Sequence, residues 1–253
     1  MSLNRPCVDW AGQRIWVIGA SSGIGAALSR RLVELGARVA VSSRNGAAWA
    51  ARGGCHVEVV DITDRAALGH AFDAVRAALA EIDLVVVSAG THQPMHAWEL
   101  DAEAAEALVQ VNLIGVINVV ALLATYFVER GCGGIALIGS VAGYGGLPTA
   151  LVYGATKAAL INFAQTLHLD LAPRGVAVYL INPGFVSTPL TARNPFQMPA
   201  LISAEAAARA IVAGITAGRF EIHFPRRFTW VMKVLNWLPY RLYFALIRRV
   251  TGL

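Results

Sequence analysis

An α/β fold with a mostly parallel, doubly wound sheet of seven strands and helices on both faces is predicted by three observations. Short apolar runs alternate with helical stretches along the chain, the pattern that βαβ units require. A glycine turn, Gly19-Ala-Ser-Ser-Gly-Ile-Gly25, stands between the first such run and the first helix. The 253 residues are 56% hydrophobic and 15% charged, so one large core can be buried, and no repeat or low-complexity linker interrupts the order.

Each element follows in turn. The apolar run 15–18 is a strand that enters the glycine turn, and 26–35 is a helix ended by Gly36. Strands follow at 38–42 and 56–60, then a helix at 64–80 and a fourth strand at 84–87. A long helical stretch covers 102–130, strand 135–138 comes next, and after a loop a helix runs from Tyr153 to about residue 171. Strand 176–181, helix 204–217 and strand 220–224 complete seven strands and a single domain over 1–224. Residues 225–253 form a basic, aromatic-rich tail, which Pro239 divides into two helices.

Charge and cysteine usage exclude several functions. Residues 219–253 hold seven Lys or Arg against the single acid Glu221, and the remainder carries 14 basic and 15 acidic groups. A nearly neutral main body argues against nucleic-acid binding. Cys7, Cys55 and Cys132 are odd in number and widely spaced, which indicates neither disulfides nor a zinc site. His92 and His96 have i,i+4 spacing, but Pro94 lies between them and no Glu follows the first; no metal is expected. The start lacks an apolar signal core and no apolar span of bilayer length is expected, so a cytosolic location is predicted.

Two constellations carry chemistry. Gly19, Gly23 and Gly25 allow a backbone to turn sharply and approach a pyrophosphate at a helix N-terminus, with Ser21, Ser22 and Ile24 in the same turn. Tyr153 and Lys157, one helical turn apart, put an ammonium beside a phenol; this pairing predicts a lowered phenol pKa and a usable proton donor or acceptor. The end of the second strand reads Ser42-Ser43-Arg44, with no acid to accept from a ribose hydroxyl. A cation there suits a 2′-phosphate, so NADP(H) is favoured over NAD(H).

These residues, with Ser140, Asn112, Asp61-Ile62, Ala89-Gly90 and the run Pro183-Gly184, Val186 and Thr188, make residues 13 to about 188 resemble the short-chain dehydrogenase/reductase family. The resemblance implies a Rossmann-type fold and roles for each position. Asn112, Ser140, Tyr153 and Lys157 would be catalytic: Tyr153 the general acid and base, Ser140 a hydrogen-bond partner of the substrate oxygen, Lys157 a support for tyrosinate and a ribose ligand, Asn112 the holder of a relay water. Asp61 and Ile62 would contact adenine, while Val186 and Thr188 would meet the nicotinamide carboxamide. Val87-Ser-Ala-Gly90 departs from the family's usual Asn-Asn-Ala-Gly.

The activity implied is hydride transfer between a carbonyl and an alcohol. The loops after Ser140 and Gly184 supply Tyr144, Leu147, Pro148, Leu151, Phe185, Leu190, Phe196 and Met198, with Arg193 a polar exception, so an apolar ketone, aldehyde or secondary alcohol is expected. The tail's aromatic and basic residues suit a membrane interface or, alternatively, a cap over the pocket or a subunit contact. A homodimer or homotetramer built on the helices around 102–130 and 152–171 is implied by the resemblance. The competing reading is a catalytically silent nucleotide-binding regulator or scaffold that docks through its tail.

Overall fold

The computed structural model describes residues 2–7, 9–46, 49, 54–193, 196 and 198–252; the side chain of Arg193 and the terminal Leu253 lie outside the described residues. Strand β1 (Arg14–Ile18) is flanked by β2 (Arg38–Ser43) and β4 (Leu84–Val87), and β3 (Cys55–Val59) forms one edge. Beyond β4 come β5 (Gly133–Ile138), β6 (Val176–Pro183) and β9 (Glu221–Phe224), giving the order β3-β2-β1-β4-β5-β6-β9. Every pairing in this sheet is parallel, a stricter outcome than the mostly parallel sheet expected. The order reverses between β1 and β4, which places a crevice at the carboxyl ends of those strands.

Alternation along the strands builds two cores. Trp16 and Ile18 face one side with Val85, Val87, Ile135 and Leu137, while Ile15 and Val17 face the other with Val39, Val41, Val86 and Ile181. Helix α1 (Gly23–Glu34) and α6 (Ala204–Thr216) cover the second face. The first is covered by α2 (Arg65–Leu79), α4 (Gly115–Arg130) and α5 (Leu151–Leu171), and α3 (Ala102–Val109) packs against α5. Side-chain caps start several of them: Asp64 accepts from Ala66 and Ala67, and Ser203 from Ala206.

Two expectations change. The stretch 102–130 is not one regular helix, because a π-helical turn at Gln110–Ile114 separates α3 from α4. By length and composition Ala102–Arg130 is also apolar enough to cross a bilayer, contrary to the sequence reading. Here Val116, Val119, Val120, Leu123 and Phe127 are buried against the sheet, so its apolar character is spent on the core. A two-stranded parallel pair, β7 (Val186–Ser187) with β8 (Ile202–Ser203), was also absent from the sequence reading.

The tail forms α7 (Arg226–Asn236) and α8 (Tyr240–Thr251), separated at Pro239. Thr229, Met232 and Tyr243 are buried inward. Tyr243 donates to the Gly146 carbonyl at 2.7 Å, and Phe228 meets Phe185 with ring centroids 5.7 Å apart. The tail therefore packs on both loops that follow Ser140 and Gly184.

Candidate active site

The carboxyl ends of six sheet strands converge on one cleft of about 310 Å³. Strand β1 delivers Gly19, Ser21, Ser22, Gly23 and Ile24; β2 delivers Ser43 and Arg44; β3 delivers Asp61 and Ile62. Ala89 and Gly90 follow β4, Ser140 follows β5, and Pro183, Gly184, Val186 and Thr188 come from the end of β6 and after it. Tyr153 and Lys157 reach the same cleft from α5. Gly25 and Asn112 do not line it and stand behind its wall.

The glycine turn is held by close approach. Gly19 has φ +89°, and a Cβ there would collide with the backbone of Ala89. A Cβ on Gly25 would meet the Gly19 carbonyl oxygen, so these two positions bring β1, α1 and the turn after β4 together. Ser22 is the N-cap of α1 in extended conformation, yet its hydroxyl caps nothing and no acid occupies the first turn. The N–H groups of that turn are left to face the cleft.

Tyr153 and Lys157 lie one turn apart, as their spacing requires. Lys157 is 4% exposed and its Nζ donates to the Ile138 carbonyl at 2.9 Å, 5.7 Å from the Tyr153 ring centroid. Burial, which disfavours the cation, pulls this lysine down to about 8. Burial also pushes the Tyr153 phenol above its ordinary value, and a hydrogen bond with the Ser140 hydroxyl only partly counters it. The lowered phenol expected from the sequence is thus reversed, because desolvation acts on both groups and the ammonium is engaged by a backbone carbonyl. His92 packs on the Tyr153 ring at 4.6 Å, whereas His96 stacks on Trp98, so the two histidines go separate ways.

Asn112 sits at the centre of the π-helical turn, fully buried. Its Oδ1 accepts from the Thr91 N–H at 2.8 Å and its Nδ2 donates to the Thr91 carbonyl at 2.8 Å. This two-point clamp holds the chain just beyond Gly90, and a longer contact to the Thr156 hydroxyl, 3.4 Å, ties it to α5. The buried amide thus has the partners that its apolar neighbours demand.

At the end of the cleft beyond β3, Asp61 accepts from the Thr63 N–H and hydroxyl at 2.9 and 2.8 Å, and these bonds hold its carboxyl below the usual range. Ser43 donates to the Asn45 carbonyl at 2.7 Å, and Arg44 is exposed at the cleft rim. Thr191 donates to the Val186 carbonyl at 2.5 Å and its hydroxyl accepts from the Thr188 N–H at 3.1 Å, bracing the segment after Gly184.

The expected substrate wall is only partly found at this cleft. Leu190 lines it, but the Tyr144 hydroxyl is taken by Glu221 at 2.6 Å, and Phe185 joins Phe196 and Phe228 in an aromatic cluster beside it. Sequence reasoning missed Asn45, Ser88, Thr91, Val111, Ile138, Gly139, Pro189 and Thr191, which also line the cleft. Their signal was adjacency: each is within three residues of a position read from a motif. It also missed Glu221, whose carboxylate accepts from Tyr144, from Asn182 Nδ2 at 2.8 Å and from Lys233 of the tail. Burial raises this carboxyl, but the bonds from Lys233, Tyr144 and Asn182 outweigh it and hold the group below its ordinary value.

Comparison with known proteins gives this geometry a family. The family model described as short chain dehydrogenase matches residues 13–198. An uncharacterized oxidoreductase from Myxococcus xanthus is 34% identical over 244 residues, covering 92% of this chain and 96% of its own. A 2-dehydro-3-deoxy-L-rhamnonate dehydrogenase (NAD(+)) from a Sphingomonas species is 32% identical over 191 residues, 74% of this chain and 77% of its own. Among solved structures, a short chain dehydrogenase from Burkholderia cenocepacia in complex with NADP superposes with a TM-score of 0.84 at 25% identity, over 94% of this chain and 98% of the other. A matching family model over most of the chain, a parallel sheet of the same kind and relatives that are oxidoreductases agree: the chain belongs to the short-chain dehydrogenase/reductase family and is a dehydrogenase or reductase.

Proposed function

We propose that the protein is an NADP(H)-dependent oxidoreductase that interconverts a carbonyl and an alcohol on an apolar small molecule, with Tyr153 as general acid and base. The observation that carries this reading is the meeting of Ser140, Tyr153 and Lys157 at one cleft that is also lined by an uncapped helix N-terminus. A phenol pushed up by burial is fully protonated at neutral pH, which makes it a proton donor in carbonyl reduction. The charge left on the phenol is offset by the Lys157 ammonium and by the Ser140 hydroxyl, both already in place. Asn112 acts at one remove, fixing Thr91 and thereby the backbone beside Gly90.

The chain fits a dinucleotide. The free N–H groups of α1 suit a pyrophosphate, the tight packing at Gly19 leaves the turn low beside it, and the residues after β4 and β6 face the same space. Ser21, Ser22, Gly23 and Ile24 would hold the phosphates; Asp61 and Ile62 the adenine; Ala89, Gly90, Pro183, Gly184, Val186 and Thr188 the nicotinamide half. When bound, the nicotinamide supplies or accepts the hydride. Ser43 and exposed Arg44 at the rim, with no carboxylate at the end of β2, support the phosphorylated form.

A cytosolic location and a homo-oligomer contacting through the helices of 102–130 and 152–171 are part of this reading; Leu169, 73% exposed on α5, supports such a contact. The test is nucleotide titration followed by a screen of ketones, aldehydes and secondary alcohols. NADPH should bind more tightly than NADH, and Arg44→Ala should weaken NADPH by about tenfold to a hundredfold while leaving NADH unchanged. Equal loss for both nucleotides would remove the 2′-phosphate assignment. Binding without turnover of any carbonyl or alcohol would favour the silent regulator.

A further inference from the structure

The two tail helices use only part of their apolar surface inward. Trp237 and Tyr240, which flank the corner at Pro239, are 77% and 78% exposed, and Trp230, Val234, Phe244 and Val250 are exposed beside them. From Pro225 to Leu253 the sequence has no Asp or Glu. Lys233 is paired with Glu221, but Arg226, Arg227, Arg241, Arg248 and Arg249 are exposed, and none makes a salt bridge among the described residues. Exposed aromatic and aliphatic side chains interspersed with unneutralised cations are complementary to an anionic surface.

Geometry narrows the occupant. α7 has 11 residues and α8 has 12, each far shorter than the roughly 20 needed to span a bilayer, so the helices can lie only along its plane. A second copy docked through the same face would oppose one set of five arginines with another and offer no acid from either tail. We propose that the outer face of α7 and α8 is a docking surface for an anionic lipid bilayer, with Trp237 and Tyr240 seated at the headgroup level. The same helices hold the loop after Ser140 through Lys233–Glu221–Tyr144 and Tyr243–Gly146. Docking would therefore bring the cleft to a phase in which apolar carbonyl compounds are concentrated; this last step rests on the function proposed above.

Flotation of the full chain with phosphatidylcholine vesicles, with and without phosphatidylglycerol, tests the surface without reading turnover. A failed result therefore leaves the oxidoreductase reading standing, and a failed substrate screen leaves the docking surface standing. The chain should float with anionic vesicles and lose that association as salt is raised. The triple change Arg241→Gln, Arg248→Gln, Arg249→Gln should lower partitioning by about a hundredfold. Trp237→Ser with Tyr240→Ser should lower it on anionic vesicles by about tenfold or more while leaving the melting temperature unchanged. Wild-type protein that stays unbound, or variants that float as well as it does, would overturn the proposal. So would a lipid-free, concentration-dependent dimer abolished by Trp237→Ser, which would give the face to a second copy.

Discussion

At the scale of single residues, burial does most of the work at the site. Lys157 enters a nearly dry position, and its depressed pKa of about 8 keeps it cationic at neutral pH while bringing its titration into an accessible range. Tyr153 moves the other way and keeps its proton. Under the proposed mechanism the sign follows directly: below about pH 8 the cation would be present to stabilise the phenolate formed as the proton leaves, and above it that support would be lost. We expect kcat/KM for carbonyl reduction to be flat up to about pH 8 and to fall on the alkaline side, well before the phenol itself titrates. A profile flat to pH 10 would show that the lysine does not act through its charge. Residue types and spacing made Ser140, Tyr153 and Lys157 legible, but not the direction of the Tyr153 shift, because burial is a property of the folded surroundings and not of the pair.

At the scale of elements, strands were legible because parallel strands buried on both faces read as continuous apolar runs, as at 84–87. The break between α3 and α4 was not, since a π-helical turn adds one residue to the hydrogen-bond ladder without changing composition. Its consequence is local and specific: Asn112 is rotated to clamp Thr91. Contacts between distant elements were equally hidden. Glu221 on β9 and Lys233 on α7 lie 12 residues apart, yet their pairing fixes Tyr144 in the loop after Ser140. Lys233→Met should leave a largely buried carboxylate short of its cation and destabilise the fold by about 1–3 kcal/mol, read by urea or thermal unfolding. Loosening of the Tyr144 loop should also raise KM more than it lowers kcat. Unchanged unfolding and an unchanged KM would mean that the tail lies on the domain without supporting it.

At the scale of the whole molecule, the doubly wound sheet brings residues from the ends of six strands, spread from Gly19 to Thr188, into one cleft, and the tail braces two of the loops around it. The meeting of Gly19, Arg44, Asp61, Gly90 and Gly184 at that cleft was readable because each stands in a short motif. The side chains expected to wall a substrate were not readable in the same way, because Tyr144 and the Phe185 cluster are committed to tertiary contacts that no local pattern signals. The account rests on proton transfer by one phenol in a dinucleotide-binding cleft. Its most direct test compares Tyr153→Phe with the unaltered chain, measuring turnover of a verified carbonyl substrate alongside NADPH affinity. We predict that turnover falls by at least about a hundredfold while nucleotide affinity changes little; undiminished turnover would contradict the mechanism.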